Sequence, residues 1–144
     1  MELNSKVKAL EMFYVAALAD SVKWYTREGI LERVTAAKRE EQLQQGKQQA
    51  SILGITSPEQ VFTTLADIFN CAHWEISQED WGLVAEAKSC RLCAVAKGLN
   101  AGSPCALFCL NPMEAMVKGI RETSQFAVKE TLWKGSKCRI EILS

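Results

Sequence analysis

Four of the six cysteines fall in the twenty residues from Cys90 to Cys109, and a fifth, Cys138, lies near the end of the chain. Cys90 and Cys93 are separated by two residues, Cys105 and Cys109 by three, and eleven residues lie between the pairs. Two close pairs joined by a loop suit a tetrahedral thiolate site, because each pair reaches the metal from a tight turn while the loop brings the pairs together. The spacing points to zinc, with an iron–sulfur cluster as the alternative, held by Cys90, Cys93, Cys105, Cys109 and Cys138. Ala106, Leu107 and Phe108, inside the second pair, would half-bury such a site. Packing is the competing explanation: Cys90 and Cys93 as small hydrophobes on a helix, and Cys105 and Cys109 sharing one helical face at a four-residue step. For one cysteine packing is the better explanation; for four in close sequence plus Cys138, a shared site is.

Nucleophilic chemistry is a third use of these thiols. A cysteine becomes reactive when a helix N-terminus or a cation stabilises its thiolate. Asn111, Pro112 and Glu114 follow the cap, first and third positions of a helix, which would set Cys109 just before a helix start; it is a better candidate than Cys105, beside Pro104. His73 is the only histidine and could act as base or ligand, with Glu86 as a second proton shuttle, although a lone histidine at a strand start is more often structural. Cys71 reads as a core residue. Cys90 and Cys93 have the spacing of a redox pair, without a thioredoxin-like strand-then-helix pattern around them.

The elements that must position these groups change character along the chain. Apolar residues from Leu3 to Thr35, including Val7, Leu10, Phe13, Tyr14, Leu18 and Val22, recur at helical steps, with Gly29 as a break. AAKREEQLQQGKQQASILGI is polar and rich in helix formers, and predicts an exposed helix ending near Gly54 with its charge run on a solvated face. Ser57, Pro58 and Gln60 predict a capped helix start, with Val61, Leu65, Ile68 and Phe69 as its buried stripe. HWEISQEDWGLVAEAKSC then alternates around a turn at Glu79 to Gly82, and QFAVKETLW and KCRIEIL flank KGS, so two hairpins are predicted. Between them CRLCAVAKGL reads as a short helix stopped by Gly98. CALFC reads as a turn before the Asn111 helix, because Pro112 would clash in a helix interior. The expected fold is α+β: N-terminal helices, then an antiparallel sheet of two hairpins with a cysteine-bearing helical insertion. The expected organisation is a single domain over residues 1–144, with 1–70 mainly helical and 71–144 holding the sheet and the insertion.

Composition excludes several classes. At 144 residues the chain can bury a core without needing a metal or disulfide to fold. Its 17 basic side chains balance 17 acidic ones, which gives no polyanion-binding surface, so no nucleic-acid partner is expected. Lys6, Lys8, Glu11 and Asp20 interrupt or flank the N-terminal apolar stretch, which predicts neither a signal peptide nor a membrane span. A cytoplasmic address with reduced thiols follows. A small-molecule ligand or substrate is the expected partner, with a homodimer as the one assembly considered.

SPCALFCLNPMEAMVKGI followed by KETLWKGSKCRIEI resembles the L-2-amino-thiazoline-4-carboxylic acid hydrolase-like family and, more distantly, the 4-vinyl reductase (hydrocarbon-binding) domains. The likeness runs through Cys109, Gly119, Thr131, Gly135, Cys138 and Ile140. It implies an α+β ligand-binding domain with a cysteine-lined pocket, Cys109 and Cys138 as site residues more in metal binding than as nucleophiles, and, for the hydrolases, opening of a thiazoline ring. The expected function is hydrolysis of a cyclic, amidine-like C–N bond by water that a cysteine-bound zinc activates, with Cys109 at the site, one cysteine not a ligand, and His73 or Glu86 as proton shuttle. The alternative is a non-catalytic, sensor-type domain whose cysteines hold a structural metal and whose pocket, with Trp74, Trp81, Phe108 and Trp133 as candidate walls, takes an apolar or planar ligand.

Overall fold

The computed structural model describes residues 1–144. Helices α1 (Leu3–Arg27), α2 (Leu31–Ile52) and α3 (Pro58–Phe69) come first. A hairpin of β1 (Glu75–Glu79) and β2 (Gly82–Ala87) follows, then α4 (Arg91–Gly98), a π-helical turn (Ala106–Leu110) that runs into α5 (Asn111–Ile120), and a hairpin of β3 (Gln125–Glu130) and β4 (Cys138–Leu143). The strands lie in the order β1-β2-β4-β3, every neighbouring pair antiparallel, so the hairpins join through β2 and β4. The chain is an α+β protein with N-terminal helices and a helical insertion between two hairpins, as its change of hydrophobic period predicts. No helix is long and apolar enough to cross a membrane.

Each boundary has a local cause. Gly29 holds φ +70, which a side chain would disfavour, and breaks α1 from α2. At α3 the Ser57 hydroxyl accepts the Gln60 amide, the Gln60 side chain accepts the Thr56 amide in return, and Pro58 opens the helix. α4 runs through Gly98, and the left-handed residue after it is Asn100 (φ 55) rather than the glycine. The second hairpin has shorter strands than predicted. Thr131 to Lys137 form a loop whose Ser136 and Lys137 amides donate to the Glu130 carboxylate.

The helix faces depart further from expectation. α1 buries Val15, Ala19 and Val22, whereas Val7, Leu10 and Phe13 stay exposed. The α3 stripe is centred on Val61 and Phe62, both fully buried, while Ile68 is exposed. α2 is not merely a solvated helix. Gly46 and Ala50 are buried, and a Cβ added to Gly46 would lie 2.1 Å from the Ala115 carbonyl oxygen of α5. Gly119 is the reciprocal contact, its added Cβ 2.6 Å from the Lys47 Cα. Two glycines let these helix backbones touch.

The largest correction concerns CALFC. Its residues are helical, and the helix opens earlier, where the Ser103 hydroxyl accepts the Cys105 amide and the Phe108 amide bonds the Pro104 carbonyl. Pro112 does not end this helix, because the backbone widens into a π turn in which the Asn111 amide reaches the Ala106 carbonyl. One residue on, Pro112 has no N–H to offer the Leu107 carbonyl in that register. Gln42 of α2 supplies the missing donor, its Nε2 2.9 Å from the Leu107 oxygen.

Asn111 is therefore an interior helix residue and not a cap. It is buried, and its Oδ1 accepts the Arg39 guanidinium at 2.9 Å. The same guanidinium pairs with buried Glu114, whose other oxygen lies 2.9 Å from Lys118 Nζ. Burial alone would raise the Glu114 pKa, but hydrogen bonds from Arg39 and Lys118 outweigh it and hold the carboxyl below its ordinary value. A carboxyl held lower when folded contributes stability that is fully present above its unfolded pKa, about 4.3, and is lost as pH falls through the folded value. Because Arg39 and Lys118 are each more than a third exposed, the contribution is about 1 kcal/mol. Urea unfolding of wild type should therefore weaken from pH 5 downward, and the Glu114→Gln variant should show a flatter acid limb.

Candidate functional site

All six cysteines line one cavity of about 490 Å³. It lies between two apolar clusters. One joins the sheet to α3 and α5 through Phe62, Trp74, Met113, Met116 and Cys138; the other joins α1 to α4 through Val15, Ala19, Leu92 and Ala96. The π turn crosses this space and presents Phe108 and Cys109 to it, with Cys105 just before them. β4 brings Cys138 by alternation: Cys138, Ile140 and Ile142 are buried on the inner face of the sheet. Most of the lining is apolar, and it contains no carboxylate and no histidine.

A polar strip runs down one wall. Lys38, Gln42, Gln45 and Gln49 of α2 all border the cavity, at successive steps of four, three and four residues. That spacing was readable as one face of a helix. In a segment where charged and polar residues surround it on every side, nothing distinguished this face from the solvated ones.

The thiols divide by environment. Cys93 and Cys105 Sγ are 3.5 Å apart, and Cys90 lines the same cavity wall. Cys90 precedes the first turn of α4, close to the Leu92 and Cys93 amides. The Cys93 side chain, opposed by burial and aided by those amides, lowers the Cys90 pKa; the same partner, with the Ser103 hydroxyl and Lys97, lowers that of Cys105. A thiol carries one hydrogen, so Cys93 stabilises a thiolate on one neighbour at a time. Its own pKa is raised by those two partners and by burial. The trio thus shares one thiolate more readily than an isolated cysteine would hold it.

The remaining three thiols are held protonated. Burial raises Cys71 and Cys138 to about 11, Cys138 against an opposing hydrogen bond from the Leu132 amide at 3.3 Å. Burial raises Cys109 well above its ordinary value, with the surrounding thiols adding to the effect. Cys109 keeps some accessible surface because that surface faces the cavity. The helix-start argument for an activated Cys109 does not hold in this fold: the first turn of its helix contains Cys105, and Cys109 lies within the π turn.

The other predicted site residues are elsewhere. Glu86 lies opposite Arg139 on the outer face of the sheet and pairs with Lys137 at 2.8 Å, whereas its neighbours Ala85 and Ala87 face inward beside Ile140 and Cys138. Strand alternation separates it from the cavity. His73 is exposed and borders a shallower outer pocket with Cys90 and Arg91. Of the four aromatic wall candidates, Trp74 and Phe108 line the cavity. Trp81 is exposed at the tip of the first hairpin, and Trp133 packs under Lys97.

The five proposed metal ligands share the cavity, but no three His, Cys, Asp or Glu side chains converge at metal-holding separations. Only the Cys93–Cys105 pair comes near the edge of a tetrahedral thiolate site, about 3.8 Å for zinc–sulfur bonds of about 2.3 Å. Cys109 and Cys138 do not complete it. As placed, the thiols do not fit the expected metal centre.

Comparison with protein-family models, with curated proteins and with solved structures finds no match to this chain. What the fold and site define is an α+β protein with a thiol-walled, largely apolar cavity.

Proposed function

We propose that this protein is a non-catalytic small-molecule-binding domain that takes a planar, largely apolar ligand with one hydrogen-bonding edge. The supporting observation is the cavity itself: about 490 Å³, within the roughly 300–1,000 Å³ of small-molecule sites, apolar on most walls and carrying a row of glutamines on one. The apolar body would pack on Trp74, Phe108 and Met116, and the polar edge would meet Gln45 and Gln49. The family resemblance supports the same kind of pocket. It also implies hydrolytic ring opening, which needs a proton donor at the departing nitrogen. With neither a carboxylate nor a histidine in the lining, the thiols, Tyr14 and the exposed Lys38 would have to supply it, and the binding reading has the better support. Reduced thiols suit a cytoplasmic protein, and we place it there.

Trp74 makes the reading testable. It is the one tryptophan that is both buried and in the cavity wall, so titration with planar heteroaromatic probes, indole and benzimidazole among them, should change its emission saturably. Cys109→Phe adds bulk at a side chain whose free surface faces the cavity, and should weaken that response by about tenfold or more while leaving the fold intact. Saturable binding of equal strength in wild type and Cys109→Phe would place the ligand elsewhere. Turnover of a thiazoline carboxylate by wild type would favour the hydrolase.

A further inference from the structure

The inner cavity and the outer pocket share a wall. Cys71, Ala72, Cys90 and Cys93 border both, whereas Cys105 borders only the inner one. The outer pocket is open and lined in part by His73, Arg91 and Lys97, so a small polar reagent reaches half-buried Cys90 from solvent. Cys93, one helical turn on from Cys90, is buried, and its sulfur lies 3.5 Å from that of Cys105. From the solvent side inward the order is thus Cys90, Cys93, Cys105.

We propose that Cys90, Cys93 and Cys105 form a hydroperoxide-responsive thiol relay whose end product is a Cys93–Cys105 disulfide. The oxidant is a hydroperoxide. The Cys90 sulfur attacks one peroxide oxygen, the O–O bond breaks, and Cys90 becomes a sulfenic acid as water or an alcohol leaves. The Cys93 sulfur then displaces the sulfenic oxygen as water, forming a Cys90–Cys93 disulfide. Cys105 attacks the Cys93 sulfur, the Cys90–Cys93 bond breaks, and Cys90 departs as a thiol with the proton that Cys105 gave up. In total two thiols lose two electrons and two protons, and one hydroperoxide is reduced. The last step is short: the 3.5 Å contact must close by about 1.5 Å to reach a sulfur–sulfur bond. The relay does not depend on which ligand the cavity takes.

Treating the reduced full-length protein with hydrogen peroxide, alkylating the remaining thiols and mapping the peptides tests this directly. The expected product links Cys93 to Cys105 and leaves Cys71, Cys90, Cys109 and Cys138 alkylated. Cys105→Ser should stop at a Cys90–Cys93 disulfide, and Cys90→Ser should slow disulfide formation by about tenfold or more. Matching circular dichroism and Trp74 emission would show that the variants fold, and the wild-type map needs no variant. Full alkylation of all six thiols after peroxide, a disulfide that instead joins Cys109 or Cys138, or a Cys90→Ser variant that oxidises at the wild-type rate would overturn the relay.

Discussion

Gly46→Val should be among the most damaging single substitutions in this protein, lowering stability by about 3 kcal/mol or more and the midpoint of thermal unfolding by about 10 °C or more. The reason is a backbone contact. Any Cβ at Gly46 meets the Ala115 carbonyl at 2.1 Å, and neither atom is the end of a flexible chain that could turn aside. Valine adds two methyl groups to that conflict, so α2 and α5 must separate. Their separation would also withdraw Gln42 from the Leu107 carbonyl and Arg39 from Asn111 and Glu114, leaving buried acceptors unpaired. Differential scanning calorimetry of the variant beside Gln44→Val, an exposed position on the same helix, separates the contact from the effect of a β-branched side chain in α2, and since valine outranks glycine in helix propensity a loss at Gly46 belongs to the contact. A Gly46→Val midpoint within a few degrees of Gln44→Val would mean that the helices do not touch as described.

Phe62→Ala should be comparably severe, at about 3–5 kcal/mol, and should also disturb the cavity. Phe62 is fully buried and meets Trp74 edge to face, with ring centroids 5.1 Å apart. Removing the ring leaves a void behind Trp74 and deletes the contact that holds the indole in the cavity wall. Urea unfolding should report the lost stability, and the Trp74 emission should shift to longer wavelength even in the folded variant. Wild-type emission together with the stability loss would mean that Phe62 supports the core without positioning Trp74.

The two substitutions differ in how visible they were beforehand. Phe62 stands in an evident helical segment: of the stripe expected there Val61 is buried, Leu65 packs against the core and Phe69 borders the cavity, whereas Ile68 is exposed and Phe62 was not included. Ile68 could be exposed because α3 contributes only part of its circumference to the core. Gly46 gave a different signal. A glycine inside a polar helix reads as a weak point of propensity, whereas here it is the place where another backbone approaches.

The cysteines show the same division. Clustering in sequence correctly implied a shared environment, since all six thiols border one cavity. It could not separate the trio at Cys90, Cys93 and Cys105 from Cys109 and Cys138, which are held protonated by burial. The mistaken helix start at Asn111 followed from a sound rule, that proline disrupts a helix interior. A π turn and a donor from Gln42 met the two needs that the rule anticipates.

By itself the sequence determined the kinds and order of the elements, the capped start of α3, both hairpins and the α+β class, because hydrophobic period, caps and turn residues act over a few neighbouring positions. It left open whether Glu86 and Cys138, both expected at the site, would share a face of the sheet; that they do not follows from the pairing of β2 with β4. Only the tertiary structure decided that pairing, the α2–α5 contact, the row of glutamines on the cavity wall and the meeting of Cys93 with Cys105 across a twelve-residue separation. Those depend on which faces pack together over long chain separations. There, excluded volume, the hydrogen-bond demand of buried backbone and the filling of apolar space choose among arrangements that local pattern leaves equally open.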